Sequence, residues 1–135
     1  MNTGMLGKML NEGYEDRGAT ICDKGRFKLA HNVEKKNKER RHRKVFLGTA
    51  TIDSKGLISL SDNEIKDGMK VFIDIASTNL RKGDVISKWN EEQLALLLYS
   101  LDEKNLDTIT QRLEQNFHKK MGDRKTTIRL KYHLV

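Results

Sequence analysis

Cysteine is scarce in this 135-residue sequence: Cys22 stands alone. It has no internal disulfide partner and cannot build a Cys-rich zinc site. Long apolar runs are missing too. No stretch approaches the ~18 residues that span a bilayer, and Met1 to Lys8 holds one lysine and no apolar stretch of secretion-signal length. A cytoplasmic location without membrane contact is the expectation. The histidines His31, His42, His118 and His133 are scattered, with no His or Cys at ligand spacing, so no metal site is expected. Gly25, Gly56, Gly68 and Gly83 are isolated turn glycines and form no phosphate-cradling loop. The adjacent acids Glu91/Glu92 and Asp102/Glu103 do not share a helix face and make poor acid–base pairs. The expectation is therefore a protein that is not an enzyme, with no catalytic residue and no cofactor.

What is present is charge, and it is segregated. The net charge of +7 is concentrated in two segments. Residues 35–44, KKNKERRHRK, carry seven basic groups and one acid. Residues 118–135 carry six basic groups and one acid. Residues 1–34 balance, and residues 45–117 are acidic by four charges. Two separated basic clusters imply a polyanionic partner.

The hydrophobic share of 36% allows a modest core. Met5, Leu6, Met9 and Leu10 fall at helical spacing in an N-terminal arm, residues 1–18. Residues 19–76 read as a β-rich domain. Within it, Ala19 to Leu29 aligns without a gap on Ala50 to Leu60, each copy an alternating strand, a polar glycine turn and a second strand. A third strand is expected at Lys70 to Ile75. The basic insertion, residues 31–44, has no apolar periodicity and reads as an exposed helix or arm. Residues 77–87 read as a linker. Residues 88–135 read as a helical domain: Asn90 caps a helix with Leu94, Leu97, Leu98 and Leu101 on one stripe, and a second helix runs from about Leu106 to Lys120. The last ten residues fit a strand, with Ile128, Leu130, Tyr132 and Leu134 alternating with cations. They also fit a helix, with Ile128, Tyr132 and Val135 aligned. The fold class expected is α+β, a small N-terminal hairpin sheet followed by a helical domain.

The segment Trp89-Asn90-Glu91-Glu92, the Leu106, Ile109 and Leu113 pattern, and Arg124 with Lys131-Tyr132 resemble the Myb/SANT helix-turn-helix family over residues 88–135. Leu106 and Tyr132 stand where the family has tryptophan, and the segment between its second and third helices is longer here. The resemblance implies a recognition helix from Arg124 onward, with Ile128 and Tyr132 facing the core and Lys125, Thr127, Arg129 and Lys131 facing DNA. Asp23 to Leu29 and Asp67 to Val71 bear a fainter resemblance to AbrB-type swapped-hairpin regulators, without their usual proline and with a shorter intervening helix.

These readings converge on a DNA-binding regulator or DNA-architecture protein of a phage or mobile element. Lys35, Lys36, Lys38, Arg40, Arg41, Arg43 and Lys44 would contact phosphates, and Lys119, Lys120, Arg124, Lys125, Thr127, Arg129 and Lys131 would complete the interface. With one Trp, three Tyr and four Phe, duplex DNA is favoured over single-stranded DNA or RNA. An exposed hairpin edge suggests a homodimer. The alternative is a protein-interaction module, such as an inhibitor of a host factor. A lesser one is a Mg²⁺-dependent nuclease using Asp53, Glu64 and Lys66.

Overall fold

The computed structural model describes residues 18–99, 102–122 and 125–135. The expectations placed on residues 1–17, Leu101 and Arg124 lie outside them. The elements in chain order are β1 (Thr20–Cys22), α1 (Lys24–Lys36), β2 (Val45–Ser54), α2 (Asp62–Asn79), β3 (Val85–Lys88), β4 (Gln93–Tyr99), α3 (Glu103–Met121) and β5 (Thr126–Leu134). They build a five-stranded sheet of order β1-β3-β4-β2-β5, in which β1 and β3 run parallel and the other neighbours antiparallel. From β2 to β5 the path is β-α-β-β-α-β, the split ferredoxin-like arrangement. β1 and α1 are added in front of it.

This overturns the expected small hairpin sheet followed by a helical domain. Strands from both halves of the chain pair with one another, because β2 lies between β4 and β5. The two supposed hairpins fail at their second strands. Asp23 is a helix N-cap, its carboxylate accepting from Arg26 N at 2.8 Å, so residues 24–36 are helical. The hairpin edge expected to pair two copies is thereby absent. Ser61 and Glu64 form a reciprocal capping box that starts α2. The expected third strand, residues 70–75, is the middle of that helix.

The helix expected from Glu91 is strand β4, and residues 77–87 hold the end of α2 and the start of β3. The expected second helix does form, as α3, capped by Asp102 and ended by Gly122 at φ 69°. Residues 126–134 are a strand, so there is no recognition helix.

The main core lies on one face of the sheet. Phe46, Ala50, Ile52, Leu94, Leu96, Leu98 and Ile128 meet Met69, Phe72, Ile75 and Ala76 of α2 and Leu106, Leu113 and Phe117 of α3. Phe72 and Phe117 pack edge to face with centroids 6.2 Å apart. Asn116 donates to Asn79, and Lys120 pairs with Asp74, joining the two helices. α2 comes close to the sheet at Gly68, where an added Cβ would lie 2.8 Å from Ile52 Cγ2 and 3.4 Å from Thr126 Cγ2. Gly48 plays the matching role in β2, where a Cβ would lie 3.1 Å from the Tyr132 ring.

Asp84, 2% exposed, lies just before β3. Its carboxylate accepts from Arg81 N at 2.9 Å and from Tyr99 N at 3.1 Å, tying the start of β3 to the end of β4. Burial raises its pKa above the ordinary aspartate value, and the two backbone N–H donors oppose that shift only in part.

Two outcomes are expected. Gly68→Ala should destabilise the fold by about 1 kcal/mol. Overpacking costs roughly 1–3 kcal/mol, and helix propensity returns just under ~1 kcal/mol. A higher urea midpoint for the variant would contradict this account of the close approach. The second outcome concerns Asp84. Its raised pKa means the folded state binds the proton more tightly than the unfolded state. Its contribution to stability is thus fullest below the ordinary aspartate pKa and declines as pH rises through the elevated value. Urea unfolding of the protein and of Asp84→Asn across that range should show their stability difference shrinking as pH rises. A difference that grows with pH would be the opposite sign.

Candidate functional site

Among the described residues, the second face of the sheet is only half covered. α1 lies over the β3–β4 side, where Phe27 (3% exposed) packs with Val45, Ala95 and Leu97. Trp89, just after β3, meets Phe27 edge to face at 6.1 Å. Its ring is flanked by Lys24 Nζ at 5.4 Å and Lys28 Nζ at 5.7 Å from the centroid. No described helix covers β2 and β5 on this side.

Between α1 and β2 runs a largely apolar cleft of about 420 Å³, lined by Phe27, Lys28, His31, Leu47, Thr49, Trp89, Leu94 and Ala95. Thr49 also lines a neighbouring trough of about 230 Å³, with Thr51, Gln93, Arg129, Lys131 and His133. The strand register explains the trough. Thr51 faces Arg129, Thr49 faces Lys131, and Leu47 faces His133 across the β2–β5 pair, and these alternate residues share one side. Gln93 Nε2 donates to Thr51 Oγ1 at 3.2 Å and its Oε1 accepts from Asn90 Nδ2 at 2.8 Å, which fixes the amide at the trough's end. Arg129 pairs with Asp53. Among the described residues no carboxylate lines the cleft or the trough. The arrangement places a largely apolar cleft beside hydroxyl and amide groups, with basic side chains beyond.

The expected site residues are dispersed. Arg129 and Lys131 share the trough. Lys35 and Lys36 end α1, and Lys38, Arg40, Arg41, Arg43 and Lys44 lie in the connection to β2. Lys119 and Lys120 end α3, with Lys120 engaged by Asp74. Lys125 Nζ is 3.9 Å from Glu64 Oε2, and Thr127 hydrogen-bonds His118 at 3.1 Å. Lys28, His31, Thr49, Thr51, Gln93 and His133 escape a reading of the sequence because they come from four separated elements. For Thr49, Thr51 and His133 the available signal is the polar alternation along β2 and β5; Lys28, His31 and Gln93 carry none.

The nuclease residues do not form a metal site. Asp53 is held by Arg129, and Glu64 serves the α2 cap and faces Lys125. Among the described residues no group of three or more His, Cys, Asp or Glu could hold a metal ion. No helix among them is long and apolar enough to cross a membrane.

The architecture is that of diguanylate cyclase-like proteins. A DGC protein from Thermotoga maritima superposes with a TM-score of 0.62 at 16% identity, over 85% of this chain and 83% of that one. The diguanylate cyclase SiaD from Pseudomonas aeruginosa, solved in complex with its activator SiaC, superposes with a TM-score of 0.56 at 17% identity. That match covers 98% of this chain and 54% of SiaD, so this chain spans about half of SiaD's length. No protein-family model and no curated protein matches the chain.

At these identities the likeness is one of fold. It replaces the Myb/SANT and AbrB resemblances, and with them the helix-turn-helix DNA-binding regulator of a phage or mobile element. It also corrects the expectation of a protein that is not an enzyme, because the fold is one that diguanylate cyclases use. A protein partner has a precedent in SiaD, which was solved with one.

Proposed function

We propose that this chain is a guanine-nucleotide-binding module built on the diguanylate cyclase fold, with the half-covered sheet face as its binding site. The observation that carries this reading is the junction at Thr49 of an aromatic-walled cleft with a cationic trough. A purine fits the slot beside Phe27 and Trp89 through ring contacts. Its phosphates lie toward Lys131, with His133 and the Asp53-paired Arg129 alongside, and there charge-assisted hydrogen bonds are available. Thr49, Thr51 and Gln93 supply the donors and acceptors that orient the ligand. The choice of guanine follows the name of the structural neighbours. GTP and cyclic di-GMP are accordingly the ligands to test.

A second reading is docking of a protein partner, as SiaD docks its activator. It is favoured by Leu29 and Val33, 65% and 51% exposed, which lie one turn apart on α1.

Trp89 is the sole tryptophan, so binding is readable by its fluorescence. GTP or cyclic di-GMP should change the emission saturably. Lys131→Ala should weaken binding roughly tenfold or more, the scale of one lost charge-assisted hydrogen bond, and leave the far-UV circular dichroism unchanged. Unaltered emission and unaltered amide shifts on β2 and β5 at millimolar nucleotide would refute the reading.

A further inference from the structure

The basic run 35–44 does not behave as one extended strip. Lys35 and Lys36 stay on α1, but the following turn folds back: Asn37 O accepts from Arg40 N at 2.9 Å and from Arg41 N at 3.1 Å. This draws Lys38, Arg41, Arg43 and Lys44 around a hollow of about 200 Å³ at the start of β2, closed by Val45, Leu134 and Val135.

Arg41 is the centre of this corner. Its side chain is 13% exposed, an unusual burial for a guanidinium, and Nη2 donates to Val135 O at 3.1 Å. Nε and Nη1 are also shielded from solvent, yet neither has a hydrogen-bond partner among the described residues. The facing acid, Glu34, lies 3.8 Å from Nε, beyond hydrogen-bond distance. Arg43, which also lines the hollow, has its guanidinium carbon 5.9 Å from the Tyr99 ring centroid. Glu34 is the side-chain carboxylate that faces Arg41; Lys38, Arg43 and Lys44 line the same hollow, and two buried nitrogens of Arg41 have no hydrogen-bond partner among the described residues. Leaving buried donors unmade is costly, and close approach of like charges adds to that cost. An anion with several acceptor oxygens relieves both.

We infer that the corner formed by Lys38, Arg41, Arg43 and Lys44 is a binding site for a phosphate group, separate from the nucleotide face. A tetrahedral oxyanion in the hollow takes its contacts from the flexible lysines, and it accepts from Arg41 Nε or Nη1 once that side chain turns toward the hollow it lines. Two sources share this chemistry, free inorganic phosphate and a phosphomonoester on a small metabolite. The site does not depend on the nucleotide reading, because its residues and its readout are different.

The test is an amide NMR titration of the full chain with inorganic phosphate and, separately, with glycerol phosphate. Each is referenced to chloride at matched ionic strength. Saturable shifts confined to residues 38–45 and 134–135 are expected with at least one of the two, and which one identifies the source. Arg41→Gln should weaken binding by roughly tenfold or more. Because the Arg41 side chain is largely buried, Lys44→Gln serves as the exposed companion and should weaken binding by a smaller factor with an unchanged spectrum elsewhere. Shifts that chloride reproduces at equal ionic strength would overturn the inference. So would phosphate-specific shifts at Thr49, Lys131 and His133 without any at the corner. Neither result would bear on nucleotide-induced changes in Trp89 fluorescence.

Discussion

The structure depends on one strand, β2, being hydrogen-bonded along both edges. Val45 to Thr51 pair with β4, and Phe46 to Ser54 pair with β5. A strand in that position has its backbone groups engaged on both sides and must present side chains to two different environments. Phe46, Ala50 and Ile52 enter the core beneath α2 and α3, and Leu47, Thr49 and Thr51 line the other face. Small residues make the first arrangement possible. Gly48 leaves room for the Tyr132 ring, and Gly68 lets α2 settle onto Ile52.

The two faces are unequal, and the candidate site follows from that inequality. Two long helices seal one face, and the 13-residue α1 covers only part of the other. The side chains left over on β2, β4 and β5 are threonine, glutamine, arginine, lysine and histidine, which tolerate solvent. A sheet face that is polar, cationic and adjacent to an aromatic wall suits a small anionic ligand better than it suits a long duplex. The same charge that suggests DNA in the sequence is dispersed by the fold: part of it lines the trough and the Arg41 corner, and Lys119, Lys120 and Lys125 lie elsewhere.

Several elements are legible in the amino-acid pattern. The helix from Leu106 to Lys120 has one apolar stripe and a clear stop at Gly122, so local signals suffice. The strand periodicity of residues 126–134 is visible, but Ile128, Tyr132 and Val135 also match a helix, and pattern does not choose between them. β4 reads wrongly as a helix because Leu94, Leu96, Leu97 and Leu98 are buried on both faces of the sheet, and a continuous apolar run carries no period. Lys70 to Ile75 reads wrongly as a strand because Val71, Ile73 and Ile75 alternate as a strand would. Met69, Phe72 and Ala76 supply the helical stripe that prevails in the core. Asp23-Lys24-Gly25 has the composition of a turn, and its carboxylate caps a helix instead.

The sequence by itself determined the charge distribution, the lone cysteine, the absence of a bilayer-length apolar run and the helix that became α3. These are properties of composition and of contacts within a few residues. Tertiary structure alone decided that residues 45–54 and 126–134 pair along their length and that Trp89 meets Phe27. It also brought Thr49, Lys131 and His133 to one surface. Those outcomes depend on which distant strands exchange hydrogen bonds, and that choice is made by the burial of whole faces, not by any local pattern.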